Sequence, residues 1–391
     1  MRKLMLLLTV TIVFIATSVV ASETRTVVDM RGRTVTFPAN LKKVATVNDG
    51  FVEEVMIRFG LANRLAAVSS RYMLQKLDSS FKTVSGKTYS YNSVDALRIL
   101  YPQITKLPSF QGMEGGALNF EVLAKVQPDL IILRTGDCTI SQDETRLVKT
   151  LRALESFGWP VVILNAPGFK QADTSSIKTE IKLLGEIFDR REQAKKLITY
   201  LNEVEKTVQQ RVALVPEKEK VSMLYMGLAS FIRRMSATAS AMGSDSPVSH
   251  IMEKQAGAKN AFRGRGFGVH LSTEQIYALD PDVLVLSPLG GFHPPRELYE
   301  GSDFADLSEL KAIKNRRVYA MPWRPTFCAP RLQYPLDLLV MAKAAYPKRF
   351  ADLNVYEFSL KFYREIYAVD LKTSQKLRRA QLLDWMAAEN F

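Results

Sequence analysis

The sequence predicts an α/β protein of two Rossmann-like lobes, each on a parallel sheet, joined by a single long backbone helix. Three observations carry that prediction. The first is a unit that occurs twice. Phe120-Glu121-Val122-Leu123-Ala124-Lys125-Val126-Gln127-Pro128-Asp129 leads into Leu130-Ile131-Ile132-Leu133, and Thr273-Glu274-Gln275-Ile276-Tyr277-Ala278-Leu279-Asp280-Pro281-Asp282 leads into Val283-Leu284-Val285-Leu286. In both copies a glutamate opens a short helix, Pro-Asp ends it, and a short apolar run follows. Such a run fits a strand buried on both faces. The second observation is the alternation of strand-like and helix-like segments, the order that builds a parallel sheet. The third is residues 175–212, which hold no Gly or Pro beyond Gly185 and repeat apolar residues at helical spacing. A chain of 391 residues can fill two cores.

The elements follow in order. Arg2 and Lys3 precede apolar residues 4–20, and Val19-Val20-Ala21-Ser22 offers small residues for cleavage. This is the layout of a secretory signal peptide over 1–22, cut near Ala21-Ser22. The rival reading is an uncleaved anchor, since the run sits near the lower limit of the roughly 17–25 residues a span needs. Export to the periplasm is expected. Residues 23–168 should form the first lobe, 169–219 the inter-lobe helix, 220–325 the second lobe and 326–391 a helical extension.

Segments 26–29 and 34–37 flank Met30-Arg31-Gly32-Arg33, a hairpin with glycine in its turn. A strand at 44–47, a helix at 51–59 stopped by Gly60 and a strand at 65–69 come next. Residues 71–101 are irregular and rich in Ser, Tyr and Lys, and read as an insertion with some short helix. After the strand at 131–133, a helix near 142–157 and a strand at 161–165 complete the lobe. In the central segment Ile177, Ile181, Leu184, Ile187 and Phe188, then Leu197, Leu201 and Val204, form one stripe. Thr174 or Ser175 can cap its start, and Pro216 follows its end. One helix there would run about 55 Å; a pair of helices is the alternative. The second lobe needs a strand at 221–225, a helix near 248–255, the repeated unit and a strand at 318–321. Helices at 336–345 and 359–366 and a charged segment from Lys372 finish the chain.

Charge and composition exclude several functions. Lys and Arg number 53 against 40 acidic residues, a formal +13. In a cytosolic protein that balance would point to nucleic acid. In an exported one with its charges dispersed, it reads as a solvated surface or as attraction for an anionic ligand, with no nucleic-acid partner. Cys138 and Cys328 could form one disulfide or stay as two buried thiols. His250, His270 and His293 have no zinc-site spacing. Gly264-Arg265-Gly266-Phe267-Gly268 follows no clear strand and is only superficially a phosphate loop. There is no Gly-x-Ser-x-Gly elbow and no catalytic constellation. An exported two-lobed enzyme such as a transferase and a structural envelope protein are two of the classes to be weighed.

Several stretches carry a resemblance that spans nearly the whole mature chain. They are Val28-Asp29-Met30-Arg31-Gly32-Arg33-Thr34-Val35, Pro38 with Lys43-Val44-Ala45, the two Glu…Pro-Asp units, and residues 304–322 with Leu310-Lys311-Ala312-Ile313-Lys314-Asn315-Arg316-Arg317-Val318-Tyr319. Together they resemble the periplasmic substrate-binding proteins of ABC importers, the helical-backbone (class III) family for iron–siderophore complexes, haem and cobalamin. The insertion 71–101, the long central helix and the C-terminal extension depart from that pattern. The resemblance implies a monomer without a resident cofactor that binds a small-molecule metal chelate. An iron(III)–siderophore complex comes first, with haem, cobalamin, a nickel chelate or molybdate as alternatives. It also implies ABC permease subunits as partners, with Glu121 and Glu274 docking on permease arginines. Two carboxylates, one per lobe, suit that role; a favourable place in the helix macrodipole is the bland alternative.

Open α/β sheets bind ligands at the carboxyl ends of their strands. That rule selects Asn48, Arg71, Tyr72, Arg134, Met226, Arg234, Phe292, His293, Trp323 and Arg324 as candidate ligand contacts. Arginine forks can hold the oxygens of an anionic chelate, and the aromatic rings can stack on flat ligand surfaces. His293 could complete a metal's coordination or be a satisfied loop histidine.

Overall fold

A computed structural model describes residues 23–69, 71–112, 116–140, 143–168, 172–325 and 329–391. The proposed signal segment, the side chain of Tyr72 and Cys328 lie outside the described residues. Cys138 is disulfide-bonded.

The first lobe is built on four parallel strands in the order Leu65–Val68, Val44–Val47, Leu130–Thr135, Val161–Asn165. Their apolar residues are almost wholly buried because helices cover the sheet. The leading hairpin pairs Thr24–Val28 with Thr34–Pro38, and Gly32 takes the left-handed conformation its turn requires. Buried Asp29 organises that turn, accepting from the backbone N–H groups of Arg31 and Arg33 at 2.9 and 3.0 Å.

The second lobe orders its strands Val269–Leu271, Ala239–Ala241, Ser222–Gly227, Val283–Leu286, Val318–Ala320, with Lys259–Asn260 also beside Ser222–Gly227. Ala239–Ala241 is antiparallel to both of its neighbours, so this sheet is mixed rather than purely parallel. Strands of three residues, Ala-Ser-Ala and Val-His-Leu, carry too little periodicity to be read from sequence.

The repeated unit is the same device in both lobes. Asn119 and Ser272 cap the two short helices, Phe120–Val126 and Thr273–Leu279. Each Pro-Asp aspartate then fixes the start of the neighbouring strand. Asp129 accepts from the N–H groups of Lys42 and Lys43 at 2.7 and 2.8 Å, and Asp282 from that of Ser222 at 2.9 Å.

The helix expected over 175–212 is in fact two, Ser175–Ile187 and Arg191–Val212, broken at Phe188–Arg190 where Asp189 has a φ of 55°. They fold back on each other closely: a Cβ on Gly185 would stand 2.6 Å from that of Ala194. The single apolar stripe is thus two stripes facing different neighbours. Ser175–Ile187 packs on strands of the first lobe, and Arg191–Val212 on helices Tyr334–Ala345 and Val355–Tyr367. The long connector is therefore the 22-residue helix, about 33 Å in length.

Residues 71–101 are more regular than expected. Lys76–Lys82 and Thr88–Val94 form an antiparallel hairpin, followed by helix Ala96–Leu100. Leu77 and Phe81 alternate with exposed residues, a period of two diluted by serines and lysines. After the second lobe the chain forms helices Tyr334–Ala345, Val355–Tyr367, Leu371–Ala380 and Asp384–Ala388. Tyr334–Ala345 is buried along its whole length, as a helix enclosed by neighbours must be.

Candidate functional site in the inter-lobe cleft

The carboxyl ends of the first lobe's strands meet a buried charge network. Arg134, at the end of Leu130–Thr135, holds Glu180 through Nε and Nη2 at 2.7 and 2.9 Å and Asp49 through Nη1 at 3.2 Å. Its Nη2 also donates to the Pro330 carbonyl at 3.0 Å, and its guanidinium lies 4.2 Å over the Phe51 ring. Arg324 pairs with Asp337 at 2.6 and 3.3 Å. Arg331, unmarked in the sequence, donates to the Asp49 carbonyl at 2.7 Å and faces Glu54 and Asp95 at 3.8 and 3.6 Å. All three guanidiniums are enclosed, and a charge taken from water must be paired. Burial, with the Asp49 carboxylate next, raises the Asp137 carboxyl well above its ordinary value. Burial also raises Glu53 and Glu180.

This network corrects part of the expected site. Arg134 and Arg324 are structural ion-pair partners, not free forks. Asn48 is buried: its Oδ1 accepts from the N–H groups of Gly50 and Val52, and its Nδ2 donates to Glu53. Met226, Phe292 and Trp323 belong to the second lobe's core. Asn48, Met226 and Trp323 turn into their own lobes, whereas Arg134 also reaches the Pro330 carbonyl, Phe292 meets Tyr91, and Arg324 lines a cavity together with its partner Asp337.

Other candidates remain open to solvent. Arg71 is exposed, donates to the Leu107 carbonyl at 3.2 Å, and lines a wide cavity of about 490 Å³ with Gln75, Ser109, Gln111 and Asn119. Arg234 is exposed on helix Ser230–Arg234. His293 sits beside Gly291 in the loop after Val283–Leu286. Its Nδ1 is 2.8 Å from Glu297, while its buried Nε2 has no hydrogen-bond partner among the described residues. A carboxylate on one ring nitrogen orients the other, and the oriented Nε2 is enclosed beside Gly291. Gln75 and Asn119 had no distinguishing signal, since only the fold brings them beside Arg71.

Glu121 and Glu274 lie exposed in the first turns of the repeated helices, one per lobe. The Ser272 hydroxyl donates to Glu274 at 2.7 Å and lowers its carboxyl below the usual range. Among the described residues no helix is long and apolar enough to cross a membrane.

The fold has solved counterparts. A periplasmic solute binding protein from Veillonella parvula is 24% identical, with a TM-score of 0.69 over 94% of this chain and 100% of that one. A molybdate periplasmic binding protein of an ABC transporter from Haemophilus influenzae is 16% identical, with a TM-score of 0.65 over 88% of this chain and 98% of that one. CeuE from Helicobacter pylori, solved with Ni(II) bound, is 18% identical, with a TM-score of 0.62 over 90% and 98%. No functionally curated protein matches the sequence. The profile of the periplasmic binding protein family matches residues 72–325, more than half of the chain. The chain belongs to that family: it is a periplasmic solute-binding protein of the ABC-importer kind, a transport component and not an enzyme.

Proposed function

We infer that this protein captures a metal chelate, an iron(III)–siderophore complex, in the inter-lobe cleft and delivers it to its permease. The observation that carries this reading is the open cavity of about 490 Å³ on the first lobe's side of the cleft, lined by Arg71, Gln75, Ser109, Gln111 and Asn119, all residues of that lobe. Its volume falls in the range of about 300–1,000 Å³ usual for small-molecule sites. Its width suits a bulky, already shaped ligand better than a compact oxyanion, which needs donors converging on a small volume. Arg71 supplies a fork for hydroxamate, carboxylate or catecholate oxygens. Glu121 and Glu274 are assigned the docking role, because two exposed carboxylates on separate lobes can engage two permease subunits.

Native mass spectrometry with metal analysis, on protein purified from its own host, tests the ligand. A bound organic mass carrying iron is expected. Molybdate, haem, cobalamin or a nickel complex in its place would overturn the siderophore assignment while leaving the carrier role intact.

A further inference from the structure

The hairpin of Lys76–Lys82 and Thr88–Val94 begins in one lobe and ends in the other. Its root is fixed in the first lobe, where Met73, Leu74 and Leu97 share a buried cluster with Val68 and Ile104. Asp95 caps the helix that follows, and Arg98 donates to the Leu74 carbonyl at 2.8 Å. A seven-residue strand spans about 23 Å, and the tip lands on the second lobe. There Thr83 bridges Gly301, the Val84 N–H donates to the Glu300 carbonyl at 2.9 Å, and the Ser302 hydroxyl donates to the Lys82 carbonyl at 3.0 Å. Along its length Tyr91 packs edge-on against Phe292 with ring centres 5.2 Å apart, and Leu77 joins the second lobe's core. The Ser93 hydroxyl donates to the Ala380 carbonyl at 2.5 Å, which ties the hairpin to the C-terminal helices.

We propose that this hairpin is an inter-lobe strut that walls one side of the cleft and sets the separation of the lobes without ligand. The connecting helix and the contacts that Pro330 and Arg331 make with the first lobe already join the lobes. A further connection anchored in both cores restricts the rotation those contacts leave. The strut covers Phe292, so a guest enters from the side it does not span.

The test measures lobe separation by pulsed electron-electron resonance between spin labels on exposed Lys125→Cys and Glu309→Cys; no free cysteine competes among the described residues. The parent should give one narrow distance. Two variants are compared with it: a shortened hairpin joining Asp78 to Asn92, which are cross-strand partners, and Tyr91→Ala. Both should keep the parent circular dichroism while the distance distribution splits or broadens well beyond the parent's. Unchanged distributions in both folded variants would overturn the strut. So would loss of fold in both, since the hairpin would then be part of the folding core and not an inter-lobe contact.

Discussion

Arg331 donates a 2.7 Å hydrogen bond to the backbone carbonyl of Asp49 across 282 positions of sequence. The segment that leaves the second lobe therefore returns to the first and inserts a cation among its carboxylates. Leu332 reinforces the contact by donating its N–H to Glu54 at 3.3 Å. The lobes are held by buried charge as well as by a helix.

Replacing Arg331 with methionine keeps most of the volume and removes the charge. Glu54 and Asp95 then lose their nearest cation, and breaking a buried pair on one side costs about 3–5 kcal/mol. Urea unfolding should show a loss of that order for Arg331→Met. Adding Glu54→Gln should recover part of it, because the two sites are coupled. A methionine variant as stable as the parent would mean that Arg331 adds no net stability.

The same cluster makes stability depend on pH. Burial pushes the Glu54 carboxyl up from 4.5 to about 7, with Arg331 pulling the other way and Asp95 and Asp49 adding to the rise. A carboxyl that holds its proton more tightly when folded stabilises the fold fully below its unfolded value. That contribution is lost as pH rises through the folded value. Asp95, Glu180 and Asp337 shift in the same direction, burial being the largest cause for each. Stability should therefore fall between about pH 5 and pH 8, and Glu54→Gln should flatten the slope there. A slope unchanged in that variant would assign the titration elsewhere.

Local pattern carried most of the fold. The buried strands, the caps and the repeated Glu…Pro-Asp units were legible because each depends on a few neighbouring residues. The break at Asp189 was not, since no Gly or Pro marks it and the two apolar stripes happen to continue in phase. The site was less legible than the fold. An arginine at a strand end looks the same whether it faces a ligand or a carboxylate, and Glu180 and Asp337 lie 46 and 13 positions from the arginines they hold. Only the fold supplies those partners.

That distinction predicts a split among the four arginines. Arg134→Ala and Arg324→Ala should lower stability, by stranding Glu180, Asp49 or Asp337 in the interior. Arg71→Ala and Arg234→Ala should leave melting unchanged and weaken ligand binding by about 1.5–3 kcal/mol each, the range for hydrogen bonds to charged groups. Differential scanning calorimetry and titration calorimetry with the co-purified chelate separate the two effects. Full affinity in the Arg71→Ala variant would move the site away from this cavity, and full affinity in Arg234→Ala would exclude helix Ser230–Arg234 from it.

Glu121 and Glu274 distinguish docking from a local helix effect. Both are exposed, and although Glu121 follows the cavity-lining Asn119, which accepts from its backbone N–H, neither glutamate side chain lines the cavity, so alanine at either position should leave ligand affinity intact. Uptake of the ligand by cells should fall with each single change and further with the double one. Lysine should be worse than alanine, since it sets like charges against permease arginines. A macrodipole role predicts the reverse pattern, a slight loss of thermal stability with normal transport. Glu274 accepts from the Ser272 hydroxyl and stays ionised well into mildly acidic conditions, so its contribution should persist as the periplasm acidifies. Uptake, affinity and melting measured on one set of variants decide between the two roles, and normal uptake by the double alanine variant would refute docking.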